Sequence, residues 1–80
     1  MSKALDVTLR LDLKDSRKVE SVMKALIPDN VNFPKGLSMN MHAEGSTLVL
    51  SFRSSGKFDR LIATIDEVLE HILVMYKVLE

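Results

Sequence analysis

The sequence contains no cysteine and no tryptophan, and its only aromatic residues are three phenylalanines and one tyrosine. Because thiols are absent, disulfide bonds and thiolate metal sites are excluded, and nothing points to an oxidising compartment. Long apolar runs are also missing. The longest strongly apolar segment, Ile72 to Tyr76, cannot span a bilayer, and the first residues are too polar for a signal peptide. These absences predict a cytosolic protein.

The sequence has no excess of positive or negative charge, since eleven basic residues balance eleven acidic ones. A dedicated nucleic-acid-binding protein normally carries a basic excess, so the total charge gives no support to that class. The segment from Lys57 to Glu80 contains three basic and five acidic residues and is mildly anionic. We therefore expect the C-terminal segment to avoid phosphate groups.

The chain has 80 residues, which is enough for one hydrophobic core, and residues 1–80 are predicted to form a single domain. A domain of this size buries only about 60% of the surface that its unfolded chain exposes, so an isolated protomer is expected to be marginally stable. Since no disulfide is available, oligomerisation is the remaining common source of stability.

Hydrophobic periodicity predicts a strand and then a helix in the first third of the chain. Apolar residues alternate with polar ones from Leu5 to Leu13, the pattern of a strand with one buried face. Asp15 or Ser16 can cap the helix that follows, in which apolar residues recur at spacings of three and four. Pro28 ends this helix, and polar residues, Pro34 and Gly36 indicate a loop after it.

The rest of the chain predicts a hairpin and a long helix. Apolar and polar residues alternate over 37–43 and 48–52, on either side of a turn at Gly45-Ser46. From Phe58 to Leu79 the chain is rich in helix-forming residues, and its apolar positions follow a period of 3.6 residues.

The element order β-α-β-β-α predicts an α+β fold. A right-handed crossover through the first helix leaves a gap between the first two strands, and the hairpin places the third strand in that gap, antiparallel to both. The predicted antiparallel sheet therefore has the strand order 1-3-2, with both helices on one face. That face carries Leu9, Leu11, Met39, Met41, Leu50 and Phe52, and the opposite face carries Thr8, Arg10, Asn40, His42, Val49, Ser51 and Arg53.

The final helix has an apolar arc that is wider than its own fold requires. On a helical wheel its apolar side chains fill about 160°, whereas a helix on a single sheet needs a stripe of roughly 100°. The first helix is too short to cover the C-terminal half of this arc. We therefore assign Ile62, Leu69, Leu73 and Tyr76 to a partner-binding surface. The alternative is that the arc is ordinary core between the sheet and the first helix.

Side chains suited to catalysis are scarce. The two histidines, His42 and His71, lie on the polar faces of different elements, which argues against a metal pair or a catalytic triad. The segment Ser54-Ser55-Gly56-Lys57 resembles the end of a phosphate-binding loop but lacks its first glycine, and Phe58 replaces the magnesium-binding hydroxyl. We expect no catalytic residue, no metal and no cofactor. Arg53 and Lys57 are candidates for contact with a backbone phosphate, with simple helix capping as the alternative.

Three segments carry a resemblance to a known family: Leu26-x-Pro28-Asp29-Asn30 at the end of the first helix, the strand from Leu48 to Arg53, and the long apolar final helix. Together they resemble the small dimerising, Pcc-type subunit of the archaeal and eukaryotic KEOPS (EKC) complex, which is related to the human LAGE proteins. The resemblance covers almost the whole chain.

The resemblance implies a non-catalytic role in forming threonylcarbamoyladenosine (t6A) beside the anticodon of certain tRNAs. Members of the family pair with themselves or with a paralogue, and their helices dock against N-terminal helices of the threonylcarbamoyl-transferring subunit. The family's contribution to holding tRNA maps here onto Arg53 and Lys57. The acidic residues Asp66, Glu67 and Glu70 depart from such a role, so the final helix is not expected to face RNA.

Three functional hypotheses follow. The first is an assembly subunit whose apolar helix surface binds a helical partner and whose protomers pair. The second is an RNA-binding module that uses the sheet face bearing Arg10, Asn40, His42 and Arg53, but this face lacks the exposed aromatic residues on which bases stack. An enzyme is the third and weakest reading, because the required chemistry is missing.

Overall fold

The fold is described by a computed structural model for residues 4–26, 35–55 and 58–79. Its elements, in chain order, are β1 (Leu5–Asp12), α1 (Ser16–Leu26), β2 (Leu37–Glu44), β3 (Thr47–Ser54) and α2 (Phe58–Leu79). The predicted β-α-β-β-α order is confirmed. The predicted helix end at Pro28, most of the predicted loop after it, and Lys57 lie outside the described residues.

The three strands form one sheet of order β1-β3-β2, and β3 is antiparallel to both neighbours, as predicted. The register pairs Val49 at the middle of the sheet with Arg10 on one side and His42 on the other. Side chains therefore alternate between a face covered by the helices and an open face. Strands β1 and β2 form the two edges of the sheet.

Local hydrogen bonds explain where the elements begin and turn. Of the two predicted capping residues, the structure uses Asp15, whose carboxylate accepts a bond of 2.8 Å from the backbone N–H of Arg17. Gly45 begins the two-residue turn between β2 and β3 with a φ of 63°, a left-handed conformation that glycine adopts without steric cost.

The core lies between the sheet and the two helices. Strand β3 contributes the central side chains, because neighbouring strands flank it on both sides. Leu9, Leu11, Met39 and Met41 of the edge strands are partly buried against this core, on the predicted face. The buried apolar residues of the cluster are Leu13, Val19, Val22, Leu26, Leu48, Leu50, Phe52, Leu61, Ile65, Val68 and Ile72.

Val49 lies on the open face, as predicted, but it is not exposed to solvent. Only 1% of its surface is accessible. The guanidinium of Arg10 on β1 bonds to the carboxylate of Glu44 on β2, and this link crosses the central strand that carries Val49. Long polar side chains from both edges of the sheet therefore cover Val49, although no helix of the described residues lies on this face.

Candidate interaction surface

Helix α2 presents a buried inner face to the sheet and to α1. Leu61 and Val68 are fully buried there, and Ile65 and Ile72 are almost as enclosed. On a helical wheel these four residues fall within an arc of about 60°, narrower than the apolar arc that the sequence predicts. The protomer therefore buries only part of that arc.

A second stripe of α2, here called the outer stripe, consists of Phe58, Ile62, Leu69, Leu73 and Tyr76. Phe58, Ile62 and Leu73 are exposed, with Leu73 retaining 54% of its accessible surface, whereas Leu69 and Tyr76 are partly buried against the core. All four residues assigned to partner binding from the sequence lie on this stripe. The alternative reading, that the whole arc is internal core, accounts for Leu69 and Tyr76 but not for Ile62 and Leu73.

The C-terminal half of the outer stripe faces a groove at the end of the edge strand β1. This groove has a volume of about 410 Å³. Its apolar lining comes from Leu11 and Leu13 on one side and from Leu69, Leu73 and Tyr76 on the other. Because β1 is an edge of the sheet, the groove lies beside backbone groups that no neighbouring strand of the described chain pairs. An apolar surface and an open strand edge thus adjoin one another.

Tyr76 marks the border between the outer stripe and α1. The ammonium group of Lys18 lies 4.9 Å from the centre of the Tyr76 ring, within the range of a cation–π contact. The contact joins the first half of α1 to the end of α2, which indicates that the two helices run antiparallel. Tyr76 therefore contacts α1 through Lys18 and also lines the groove.

A third apolar surface, which the sequence analysis missed, lies on the other side of α2. Val74 and Val78 are exposed, Val78 to 81%, and together with Met75 they border Ser21 and Ala25 of α1. We call Val74 and Val78 the valine face. Their spacing of four residues was visible in the sequence, but on the helical wheel they fall among the charged residues of α2, outside the apolar arc.

The open face of the sheet carries charges that are already paired. Arg10 lies 2.7 Å from Glu44, and Arg53 lies 3.7 Å from Asp6. His42 approaches the same Glu44 carboxylate at 2.8 Å. The bonds from His42 and then from Arg10 hold the pKa of Glu44 below its ordinary range, so this carboxylate is ionised at neutral pH. Both arginines of this face therefore have a carboxylate beside them.

The remaining candidate residues do not converge on a chemical site. Arg53 is largely exposed on the open face, and its predicted companion Lys57 lies outside the described residues. His71 is half-buried on α2, on a different element from His42. Within the described part of the chain, no three His, Asp or Glu side chains cluster in a way that could hold a metal ion.

None of the helices in the described ranges combines the length and the apolar character that crossing a bilayer requires. Helix α2 has 22 residues, but charged side chains interrupt its sequence.

Comparisons with known proteins match a family model and solved structures. The family model described as transcription factor Pcc1 matches residues 6–80. No curated protein sequence matches the chain. Among solved structures, a chain of the crystal structure of the binary complex Gon7-Pcc1 has a TM-score of 0.81 and 17% sequence identity, with 94% of this chain and 91% of that chain covered. At this identity the structural likeness establishes the fold alone. Because the family model extends over nearly the whole sequence, the chain belongs to the Pcc1 family of KEOPS subunits.

Proposed function

We propose that this chain is a non-catalytic assembly subunit of a KEOPS complex and supports t6A modification of tRNA by holding other subunits together. The observation that carries this proposal is the exposure of large apolar side chains on α2. Leu73 is about half exposed while Leu61, on the same helix, is fully buried. Isolated exposed apolar residues are common, but a stripe of them beside an open strand edge is typical of an interaction site.

The outer stripe is suited to a second small protomer. All large apolar residues that are exposed in the described chain belong to β1 or α2, and the groove beside the outer stripe lies at the end of β1. A second copy, or a paralogue, can pair its own edge strand with β1 and cover the stripe with the matching stripe of its own helix. The similar solved structure is a binary complex of Gon7 with Pcc1, which supports pairing of this chain with another KEOPS subunit.

The valine face is suited to a helix. Val74 and Val78 lie beside Ser21 and Ala25, so the groove is bounded by two antiparallel helices and lined by small or apolar side chains. A partner helix that enters such a groove completes a helical bundle. We assign this surface to a helix of the threonylcarbamoyl-transferring subunit, in place of the outer stripe, to which the sequence-based hypothesis assigned the helical partner.

Covering these surfaces provides a moderate binding energy. Full burial of a leucine or isoleucine side chain contributes roughly 1.5–3 kcal/mol, so covering the exposed parts of Ile62 and Leu73 contributes about 1–3 kcal/mol in total. This amount is small compared with the affinity of a stable complex, so main-chain bonds along β1 are needed as well.

Two matched double variants test the proposal. One replaces two exposed residues of the outer stripe, Ile62→Asp with Leu73→Asp, and the other replaces both residues of the valine face, Val74→Asp with Val78→Asp. An aspartate buried without a partner costs at least about 1 kcal/mol, so each pair should weaken its own interface at least about thirtyfold. The readouts are the mass in light scattering and co-purification with the transferase subunit.

The two variants should differ in which readout they change. The outer-stripe variant should scatter as a monomer and still co-purify with the transferase subunit, whereas the valine-face variant should pair normally and lose that subunit. Circular dichroism checks that both remain folded, which their surface positions predict. If neither variant changes either readout, the assembly role proposed for α2 is wrong.

The alternative function, an RNA-binding module on the open sheet face, has less support. The carboxylates of Asp6 and Glu44 neutralise the arginines of that face, so it presents little free positive charge to a phosphate backbone. The ion pair of Arg53 with Asp6 is longer than that of Arg10 with Glu44. Arg53 and Lys57 therefore remain the proposed points of weak tRNA contact within the assembled complex.

A further inference from the structure

Two donors from opposite edges of the sheet converge on one carboxylate above the central strand. Arg10 Nη1 lies 2.7 Å from Glu44 Oε1, and His42 Nε2 lies 2.8 Å from Glu44 Oε2. Arg10 belongs to β1, whereas His42 and Glu44 belong to β2. Each oxygen of the carboxylate therefore has its own partner, and the link spans the full width of the three-stranded sheet.

The register explains why these three side chains meet. Arg10 and His42 are both paired with Val49, one from each side, so their side chains stand on the same face with Val49 between them. Glu44 follows His42 by two residues on β2 and therefore points to that face too. The nearly complete burial of Val49 shows that little space remains between the polar side chains and the strand beneath them.

We propose that Arg10 and His42 form a binding site for a phosphate group, and that the Glu44 carboxylate occupies this site in the free protein. A carboxylate and a phosphate accept hydrogen bonds from the same donors, and a guanidinium suits both anions because its N–H groups form a planar fork. In the free protein the Glu44 carboxylate takes the position that a phosphate group would take. Phosphate can bind only after the Glu44 side chain moves away.

The contacts of Glu44 are of a kind that a competing anion can break. The side chains of Arg10, His42 and Glu44 retain 60%, 55% and 47% of their accessible surface. Exposed ion pairs of this type contribute little to stability because water screens them. Glu44 is also the last residue of β2, next to the turn that begins at Gly45, so its displacement need not disturb the strand pairing.

The other charges of the same face do not fill the site. Asp12 of β1 binds the backbone N–H and the ammonium group of Lys14, and Asp6 lies beside Arg53, four register positions along the strand from the Val49 row. Removal of Glu44 therefore leaves Arg10 and His42 without the carboxylate that they share, with free donors directed at the space above Val49.

A phosphate titration of the full chain tests this inference. Inorganic phosphate is added to the wild type, to Glu44→Ala and to Glu67→Ala at constant ionic strength, and the side-chain NMR signals of Arg10 and His42 are followed. Glu67 is exposed on α2, so its substitution changes the net charge equally at a distant surface. Glu44→Ala should bind phosphate about two- to fivefold more tightly than the wild type, the effect expected when an exposed ion pair no longer competes for the donors.

Two further arms make the outcome specific. The double variant Arg10→Ala with Glu44→Ala should lose the phosphate response that Glu44→Ala gains. A dinucleotide with a single phosphodiester replaces inorganic phosphate in the second arm. A response to both ligands assigns the site to backbone phosphates, and a response to inorganic phosphate alone assigns it to free phosphate groups. The inference is overturned if Glu44→Ala and Glu67→Ala respond equally, or if removal of Arg10 leaves the response unchanged.

Discussion

Asp15, Asp12 and Glu44 accept hydrogen bonds that lower the pKa of each carboxyl group. The largest cause is the backbone N–H of Arg17 for Asp15, the backbone N–H of Lys14 for Asp12, and the side chain of His42 for Glu44. A carboxylate whose pKa is lower in the folded state stabilises the fold above its ordinary pKa. That stabilisation is lost as the pH falls through the ordinary value towards the folded one.

Asp15→Asn isolates one of these groups, because asparagine also caps a helix but carries no charge. The variant should be less stable than the wild type at about pH 7, and the difference should shrink as the pH falls below 3.8, the ordinary pKa of the group, because the unfolded chain then binds the proton before the folded one does. Urea unfolding at one pH above 3.8 and one below it measures this. An equal difference at both would mean that the charge of Asp15 has no part in holding α1.

Gly45 allows a second test of a single residue. No atom lies within 4 Å of the position that a β-carbon would occupy there, so an added methyl group meets no obstacle. Its φ of 63° alone makes Gly45→Ala unfavourable, by about 1 kcal/mol. Asparagine tolerates this conformation better, so Gly45→Asn should be destabilised less in urea unfolding. If both variants match the wild type, the turn is not held in this conformation.

At the scale of the element, α2 divides between a face buried in the core and an exposed apolar surface. Leu61 is fully buried, so Leu61→Ala should lower the free energy of unfolding by about 2–5 kcal/mol. Leu73 is half exposed, and Leu73→Ala should cost less than about 1 kcal/mol in a monomer. Urea unfolding of both variants at a concentration where the chain is monomeric measures the contrast. Equal losses would show that the outer stripe belongs to the core.

The periodicity of the sequence was sufficient to predict the elements and their order. Periods of two and of 3.6 residues are local signals, and they predicted the boundaries of α2 at Phe58 and Leu79. The strand order followed from the handedness of the crossover through α1. The elements depend on residues that are close together in sequence, and the strand order depends on one rule of chirality. Neither required knowledge of tertiary contacts.

Exposure was harder to predict, because it depends on residues that are distant in sequence. The width of the α2 arc showed that some apolar surface exceeds what a single sheet covers, but not that α1 leaves Val74 and Val78 open. The burial of Val49 depends on Arg10 reaching Glu44 across 34 residues of sequence. No local pattern contains that link, so the sequence could not show that this part of the open face is covered.

At the scale of the whole molecule, the protomer is small and elongated, with principal extents of 44, 21 and 17 Å. Such a shape has much surface for its core, and a domain of this size is only marginally stable alone. The outer stripe and the valine face lie on different sides of α2, so two partners can bind at once. In the proposed function, these two surfaces join a second small protomer to the transferase subunit.

The central claim, that a neighbouring polypeptide covers the outer stripe, can be tested directly because the chain contains no cysteine. Leu73→Cys and, as control on the open sheet face, Asn40→Cys each introduce one thiol at an exposed position. At a partner concentration about ten times Kd, roughly one site in eleven stays free, so alkylation at position 73 should slow about tenfold while that at position 40 is unchanged. The partner is the unmodified chain, or a paralogue, which is added at rising concentration. If the thiol at position 73 reacts as fast as the control under all of these conditions, the outer stripe is not an interface.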